Sequence, residues 1–213
     1  MSEDSGWQPS ASLKVLKQRA RMLQKLRVFF STRDVLEVET PMLSQAGTTD
    51  PNIESFQTSD PELNWQGYLH TSPEFPMKRL LAAGSGSIYQ VCKVFRRAEQ
   101  GKQHNPEFTM LEWYRVDLDY RQLMKEVDEL VRELLSDSVE LGETQSFTYQ
   151  QIFEQQLKLN PHTATVEQLK SAAAQHNCPE VIGVDNDKDA WLDILLTHVI
   201  EPAMPTNCPV FIY

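Results

Sequence analysis

With 213 residues, the chain is long enough for one large domain or two small ones, each able to bury a core. A composition of 40% hydrophobic and 23% charged residues excludes collagen-like, low-complexity and wholly disordered chains. With 20 basic against 30 acidic residues the net charge is −10, the wrong balance for a dedicated nucleic-acid binder.

No apolar run approaches the roughly 18 residues of a membrane span, and the polar start Met1-Ser2-Glu3-Asp4 is no signal peptide. Cys92, Cys178 and Cys208 show no C-x-x-C spacing, so neither a disulfide framework nor a zinc knot is expected. Reduced thiols in a cytoplasmic protein are the simplest expectation. Charge is uneven along the chain. Lys14, Lys17, Arg19, Arg21, Lys25, Arg27 and Arg33 stand in a stretch without acids, whereas acids dominate residues 117–143. Such runs are solvated helix faces or, alternatively, docking surfaces.

Residues 1–11 read as a flexible arm that ends at an N-cap, Ser10 or Ser12. The spacing of Leu16, Ala20, Leu23 and Phe30, widened by Leu26 and Phe29, predicts a long helix. Val35 to Thr40 then alternates as a strand with one buried face, and Pro41 ends it. Gly47 to Pro61 has loop composition, with at most one short strand near Phe56. Tyr68-Leu69-His70 is a short strand, and Pro73 to Ala83 a helix. Gly84-Ser85-Gly86-Ser87 is a C-cap and turn rather than a phosphate loop, since no strand precedes it and no Lys-Ser/Thr follows. Two β-rich octets, Ile88 to Phe95 and Phe108 to Arg115, predict an antiparallel pair. An amphipathic helix follows over 121–135, two short helices broken at Asn160-Pro161 over 148–176, and another over Asp189 to Val199. Val210 to Tyr213 is a strand-like fragment.

The loop between the octets carries Arg96, Arg97, Lys102 and His104, a cationic set that invites phosphate. Alternation places Phe108, Met110, Glu112 and Tyr114 on one face behind it. Two readings stand on these residues alone: a surface hairpin with core aromatics, or a nucleotide site in which a base stacks on Phe108 while Arg96 grips a phosphate.

Phe95-Arg96, followed by His104-Asn105-Pro106-Glu107-Phe108-Thr109-Met110-Leu111-Glu112-Trp113-Tyr114, resembles the second signature motif of class II aminoacyl-tRNA synthetases in its lysyl form. Val35 to Pro41 resembles the strand and proline of the first motif, and Thr71-Ser72-Pro73-Glu74 is similar to the amino-acid-binding segment. Within this family the chain is most similar to the elongation factor P lysine ligases, paralogues of lysyl-tRNA synthetase that lack the anticodon-binding barrel. With only a dozen or so residues before the first helix, that barrel is not expected in this chain.

The resemblance implies an α+β fold, an antiparallel sheet flanked by helices. It places the first motif over about 15–41 and the second over about 88–115, in an incomplete catalytic domain spanning 12–213. It implies ATP and Mg2+, homodimerisation through the first motif, and transfer of lysine or (R)-β-lysine to elongation factor P without tRNA. Ser72, Pro73, Glu74 and Tyr114 would bind the amino acid. Arg96 would be catalytic, on the α-phosphate. Arg97, Ala98, Glu99, His104 and Asn105 would lie along the nucleotide, and Phe108 under adenine.

Two departures accompany it. The lysyl pattern has Arg-Asn-Glu where this chain has Arg96-Arg97-Ala98, so Glu99 either replaces the adenine-reading Glu or leaves that contact to the backbone. The third motif and the acidic strand that carries the magnesium ligands do not occur before Tyr213. The 213-residue chain alone is therefore expected to form no adenylate, as a piece of a longer enzyme or as a truncated form. The alternatives are a fragment of a lysyl-tRNA synthetase and a non-catalytic pseudo-synthetase that binds without activating.

Overall fold

The structure, a computed structural model, describes residues 8–99, 101, 104–179 and 183–213. Most of the expected arm, residues 1–7, and Lys102 of the basic loop fall outside these. The chain divides into two compact units, Met1–Glu126 and Val127–Tyr213.

The first unit opens with helix α1, Leu13–Ser31. The Val15 N–H donates to Ser12 Oγ at 3.3 Å, which settles the cap at Ser12. Only the second half of the predicted stripe is buried, at Leu26, Phe29 and Phe30, while Leu16 is exposed. Phe30 stacks on Tyr89 with ring centroids 4.4 Å apart and lies 5.7 Å from Trp113. The Tyr89 hydroxyl donates to Glu37 Oε2 at 2.8 Å, and Arg27 Nε donates to the same carboxylate at 3.1 Å. Burial and that acceptor push the Tyr89 phenol up to about 12.

The strand expected over Val35 to Thr40 shrinks to β1, Leu36–Glu37. Leu36 on its expected buried face is 57% exposed within this chain, because the alternating pattern reports apolar residues and not which partner covers them. Next come β2 (Leu43–Ser44), β3 (Gln57–Asp60), β4 (Trp65–Leu69), helix α2 (Glu74–Ala82), β5 (Ile88–Phe95) and β6 (Glu107–Tyr114). Gly84 and Gly86 occupy the left-handed region at φ 85° and 75°, as a C-cap and turn require.

Two three-stranded sheets result, ordered β1-β5-β6 and β2-β4-β3. β5 and β6 pair antiparallel along their full length, and β1 joins β5 in parallel. A glutamate and an arginine secure the far face of β6. Trp113 Nε1 donates to Glu126 Oε1 at 3.1 Å, and Arg115 Nε lies 3.0 Å from Glu126 Oε2.

Helix α3, Tyr120–Leu135, crosses the division between the units. In the second unit, Arg132 Nη2 donates to the Gly142 carbonyl (2.8 Å) and to Thr144 Oγ1 (2.7 Å). Burial raises the Asp128 carboxyl, but the Thr144 hydroxyl and the Arg132 guanidinium more than offset it and hold it below its usual value. Strand β7 (Gln145–Phe147) then pairs in parallel with β8 (Val210–Ile212), giving the terminal fragment its partner. Between them run α4 (Tyr149–Leu157), α5 (Val166–Gln175) and α6 (Lys188–Leu195). Thr148 with Gln151, and Thr165 with Gln168, form capping boxes at the first two. Ile152, Phe153, Leu169, Leu195 and Ile200 centre their core. The expected helix to Val199 relaxes after Leu195 into a π segment, Leu196–Ile200, just before Pro202, which has no N–H to donate. No helix among the described residues is long and apolar enough to cross a membrane.

Candidate active site

The β5–β6 register decides which side chains share a face. Gln90 stands opposite Glu112, Cys92 opposite Met110, Val94 opposite Phe108 and Ile88 opposite Tyr114. Directly opposed residues project to the same side, so Phe108, Met110, Glu112 and Tyr114 do line one face. Tyr89 and Trp113 take the other, against Phe30.

Met110 and Glu112 contribute to a cleft of about 1150 Å3 whose walls include residues 43–51, His70, Thr71, Ser72, Glu74 and Arg96. Thr71-Ser72-Pro73 leads into the start of α2, where the Glu74 N–H donates to Ser72 Oγ at 3.2 Å. Pro73 is the fully buried N-cap residue of that helix. Glu74 pairs with Lys78 one helical turn on, and its side chain is 47% exposed.

Glu112 is better enclosed. The Tyr114 hydroxyl donates to its Oε1 at 2.7 Å. Burial pushes the Glu112 carboxyl above its usual range and Glu74 adds to this, while the Tyr114 bond, Lys78 and His70 pull it back. Tyr114 is raised in turn, by burial first and by Glu112 second. Two carboxylates in one cleft, one of them partly desolvated, form a site that a cation would relieve.

Arg96 lines the same cleft. Its Nε donates to the Thr71 carbonyl at 3.3 Å, Nη1 reaches Glu99 Oε1 at 3.4 Å, and the guanidinium lies 5.2 Å from the Phe108 ring centroid. Arg97 turns elsewhere. Its N–H donates to the Glu54 carbonyl at 2.8 Å, and its side chain, 67% exposed, pairs with the Glu54 carboxylate. Ala98 sits at φ 65°, a left-handed turn that brings Glu99 back to Arg96. His104 and Asn105 are exposed on the loop.

Of the residues singled out in the sequence, the cleft thus gathers Ser72, Glu74 and Arg96, with Tyr114 and Phe108 one contact behind. Sequence reasoning placed Glu112 on the face behind the cationic loop without giving it a role, and did not assign His70 or the loop at Gly47 to the site. Alternation already carried the signal for Glu112. Gly47 left none, because its role lies in close packing: a Cβ there would sit 3.1 Å from Ser55 Oγ and 3.3 Å from the Tyr68 ring. Among the described residues no group of three or more His, Cys, Asp or Glu side chains is placed to hold a metal ion.

Residues 7–194 match the family described as tRNA synthetases class II (D, K and N). Proteins named elongation factor P (R)-β-lysine ligase are similar along nearly the whole chain. The one from Photobacterium profundum is 45% identical over 211 residues, covering 97% of this chain and 64% of that protein. The one from Pseudoalteromonas translucida is 46% identical with the same coverage, and that from an Enterobacter species 43% identical over 100% of this chain and 66% of its own length. The chain therefore spans about two thirds of the length of these curated relatives.

Proposed function

Since the chain belongs to the class II tRNA synthetase family of the D, K and N type, we propose that the full-length protein activates lysine or (R)-β-lysine with ATP and ligates it to a lysine side chain of elongation factor P. The observation that carries this reading is the gathering of Glu74, Glu112 and Arg96 around one cleft. A diamino acid brings ammonium groups that need carboxylate partners once they leave water, and ATP brings phosphates that suit a guanidinium.

Glu112, Glu74 and Ser72 hold the amino acid, with Tyr114 orienting the Glu112 carboxylate and Pro73 fixing the start of α2. Arg96, backed by the Phe108 ring, lies along the α-phosphate. An oxygen of the substrate carboxylate attacks the α-phosphorus, the bond to the bridging oxygen breaks, and pyrophosphate leaves. Arg96 offsets the charge that builds on the equatorial oxygens. The target lysine's neutral amine then attacks the acyl carbon, loses a proton to solvent, and AMP departs with the bonding pair. Ala98, His104 and Asn105 flank the nucleotide on the loop, while Arg97 turns away to Glu54. The contact of Glu99 with Arg96 supports a place beside the phosphates rather than an adenine-reading one. Magnesium would enter with ATP, and among the described residues no group of three or more His, Cys, Asp or Glu side chains is placed to hold it.

The names of the relatives support elongation factor P as acceptor, and the net charge of −10 favours a protein over tRNA. A homodimer through the first motif is supported by the apolar side chains left exposed there, Leu13, Val15 and Leu16 at the start of α1 and Leu36 on β1. Residues 12–213 would then form part of one catalytic domain. Incubating the full-length protein with ATP, (R)-β-lysine and elongation factor P should add one lysyl residue to the factor, as read by mass spectrometry. No mass gain, or aminoacylation of tRNA in its place, contradicts the proposal.

A further inference from the structure

Strand β5 has one edge covered by β6 and the other only partly covered. There the N–H groups of Leu36 in β1 and of Val38 just after it donate to the carbonyls of Ser87 and Tyr89. Further along that edge His70 meets Lys93 and Phe95. Its carbonyl accepts from the Phe95 N–H at 3.0 Å, and its ring Nε2 lies 2.6 Å from the Lys93 carbonyl. A carbonyl can only accept, so Nε2 carries the proton. The His70 N–H donates to the Met42 carbonyl at 2.8 Å, which ties the same residue to the end of β2. One residue on, the Thr71 carbonyl accepts from Arg96 Nε.

His70 is buried, at 8% exposure, and its Nδ1 has no hydrogen-bond partner among the described residues. A buried unpaired acceptor is a cost. The bond to Lys93 is thus the one hydrogen bond of the imidazole among the described residues.

We infer that His70 is a positioning residue: it clamps the segment Thr71–Glu74 onto the open edge of β5, so that Glu74 and Arg96 keep their relation across the cleft. The inference rests on the ligase reading for its catalytic consequence, and on geometry alone for the clamp. Relative placement of two bound reactants falls on the chemical step more than on the binding of either.

In the full-length protein His70→Leu is accordingly expected to slow single-turnover adenylation about tenfold or more while KM for ATP and for lysine each stay within about threefold. His70→Gln, whose amide N–H can still reach the Lys93 carbonyl, should return the rate to within about threefold of the parent. Amide hydrogen exchange without substrates gives a second readout: the Phe95 N–H should exchange about tenfold faster in His70→Leu and near the parental rate in His70→Gln. A parent protein without adenylation activity would sink the ligase reading, and the exchange comparison would then decide the clamp by itself. Equal Phe95 exchange in parent and His70→Leu overturns the clamp. In an active parent, so does a His70→Leu variant that keeps its rate and loses only melting temperature or affinity, or a His70→Gln variant as slow as His70→Leu.

Discussion

Replacing Arg96 by Ala in the full-length protein is expected to slow adenylation about a hundredfold or more, the loss typical of removing one preorganised donor from a developing charge. Arg97→Ala should slow it less than about threefold, because an exposed ion pair is worth well under about 1 kcal/mol. The contrast is sharp because the two residues are neighbours. Arg96 is wedged between the Thr71 carbonyl, Glu99 and the Phe108 ring, whereas Arg97 leaves the cleft for the exposed Glu54. Single-turnover rates of the two variants check it, and a larger fall for Arg97→Ala would place the phosphates on the other side of the strand.

Glu112→Gln should have opposite effects on binding and stability. The enclosed carboxylate is the better-desolvated partner for a substrate ammonium, so its loss should weaken lysine binding at least about tenfold. Glu74, half exposed and already paired with Lys78, should cost less. Burial raises the Glu112 carboxyl in the folded chain, so folding favours its protonated form. Its stabilising contribution is full below the ordinary carboxylate range and is lost as pH rises through the folded value. Gln fixes the neutral form, so the melting temperature at pH 8 should rise above the parent's, and the gain should vanish in acid. Calorimetry with lysine and a melting series across pH measure both. Unchanged affinity with a lower melting temperature at pH 8 would remove Glu112 from the site.

The second motif was the most legible part of the chain, because two apolar octets around a polar loop can satisfy their backbones locally as a hairpin. Its alternation correctly predicted the shared face of Phe108 to Tyr114. Helix α1 was legible as a helix but not in its burial, since periodicity names an apolar face without naming its cover: Leu16 and Leu36 are open within this chain. Strands β2 and β7 carry too few residues for a period, and their pairing partners are remote, as with Leu43 on Leu69 and Gln145 on Val210, whereas β3, next to the short strand expected near Phe56, pairs with its neighbour β4. The site was half legible for the same reason. Ser72, Glu74 and Arg96 stand in motifs. His70 gains its place through remote contacts, with Met42, Lys93 and Phe95, and Gly47 through a close approach to Ser55 and Tyr68.

Amino-acid-dependent exchange of label between pyrophosphate and ATP, measured on the full-length protein, tests the central claim that this cleft brings a diamino acid and ATP together for adenylation. The account predicts exchange that requires lysine or (R)-β-lysine, is not supported by norleucine, which lacks the terminal ammonium, and disappears with Arg96→Ala. Exchange without any amino acid, equal exchange with norleucine, or none with either lysine isomer would contradict it.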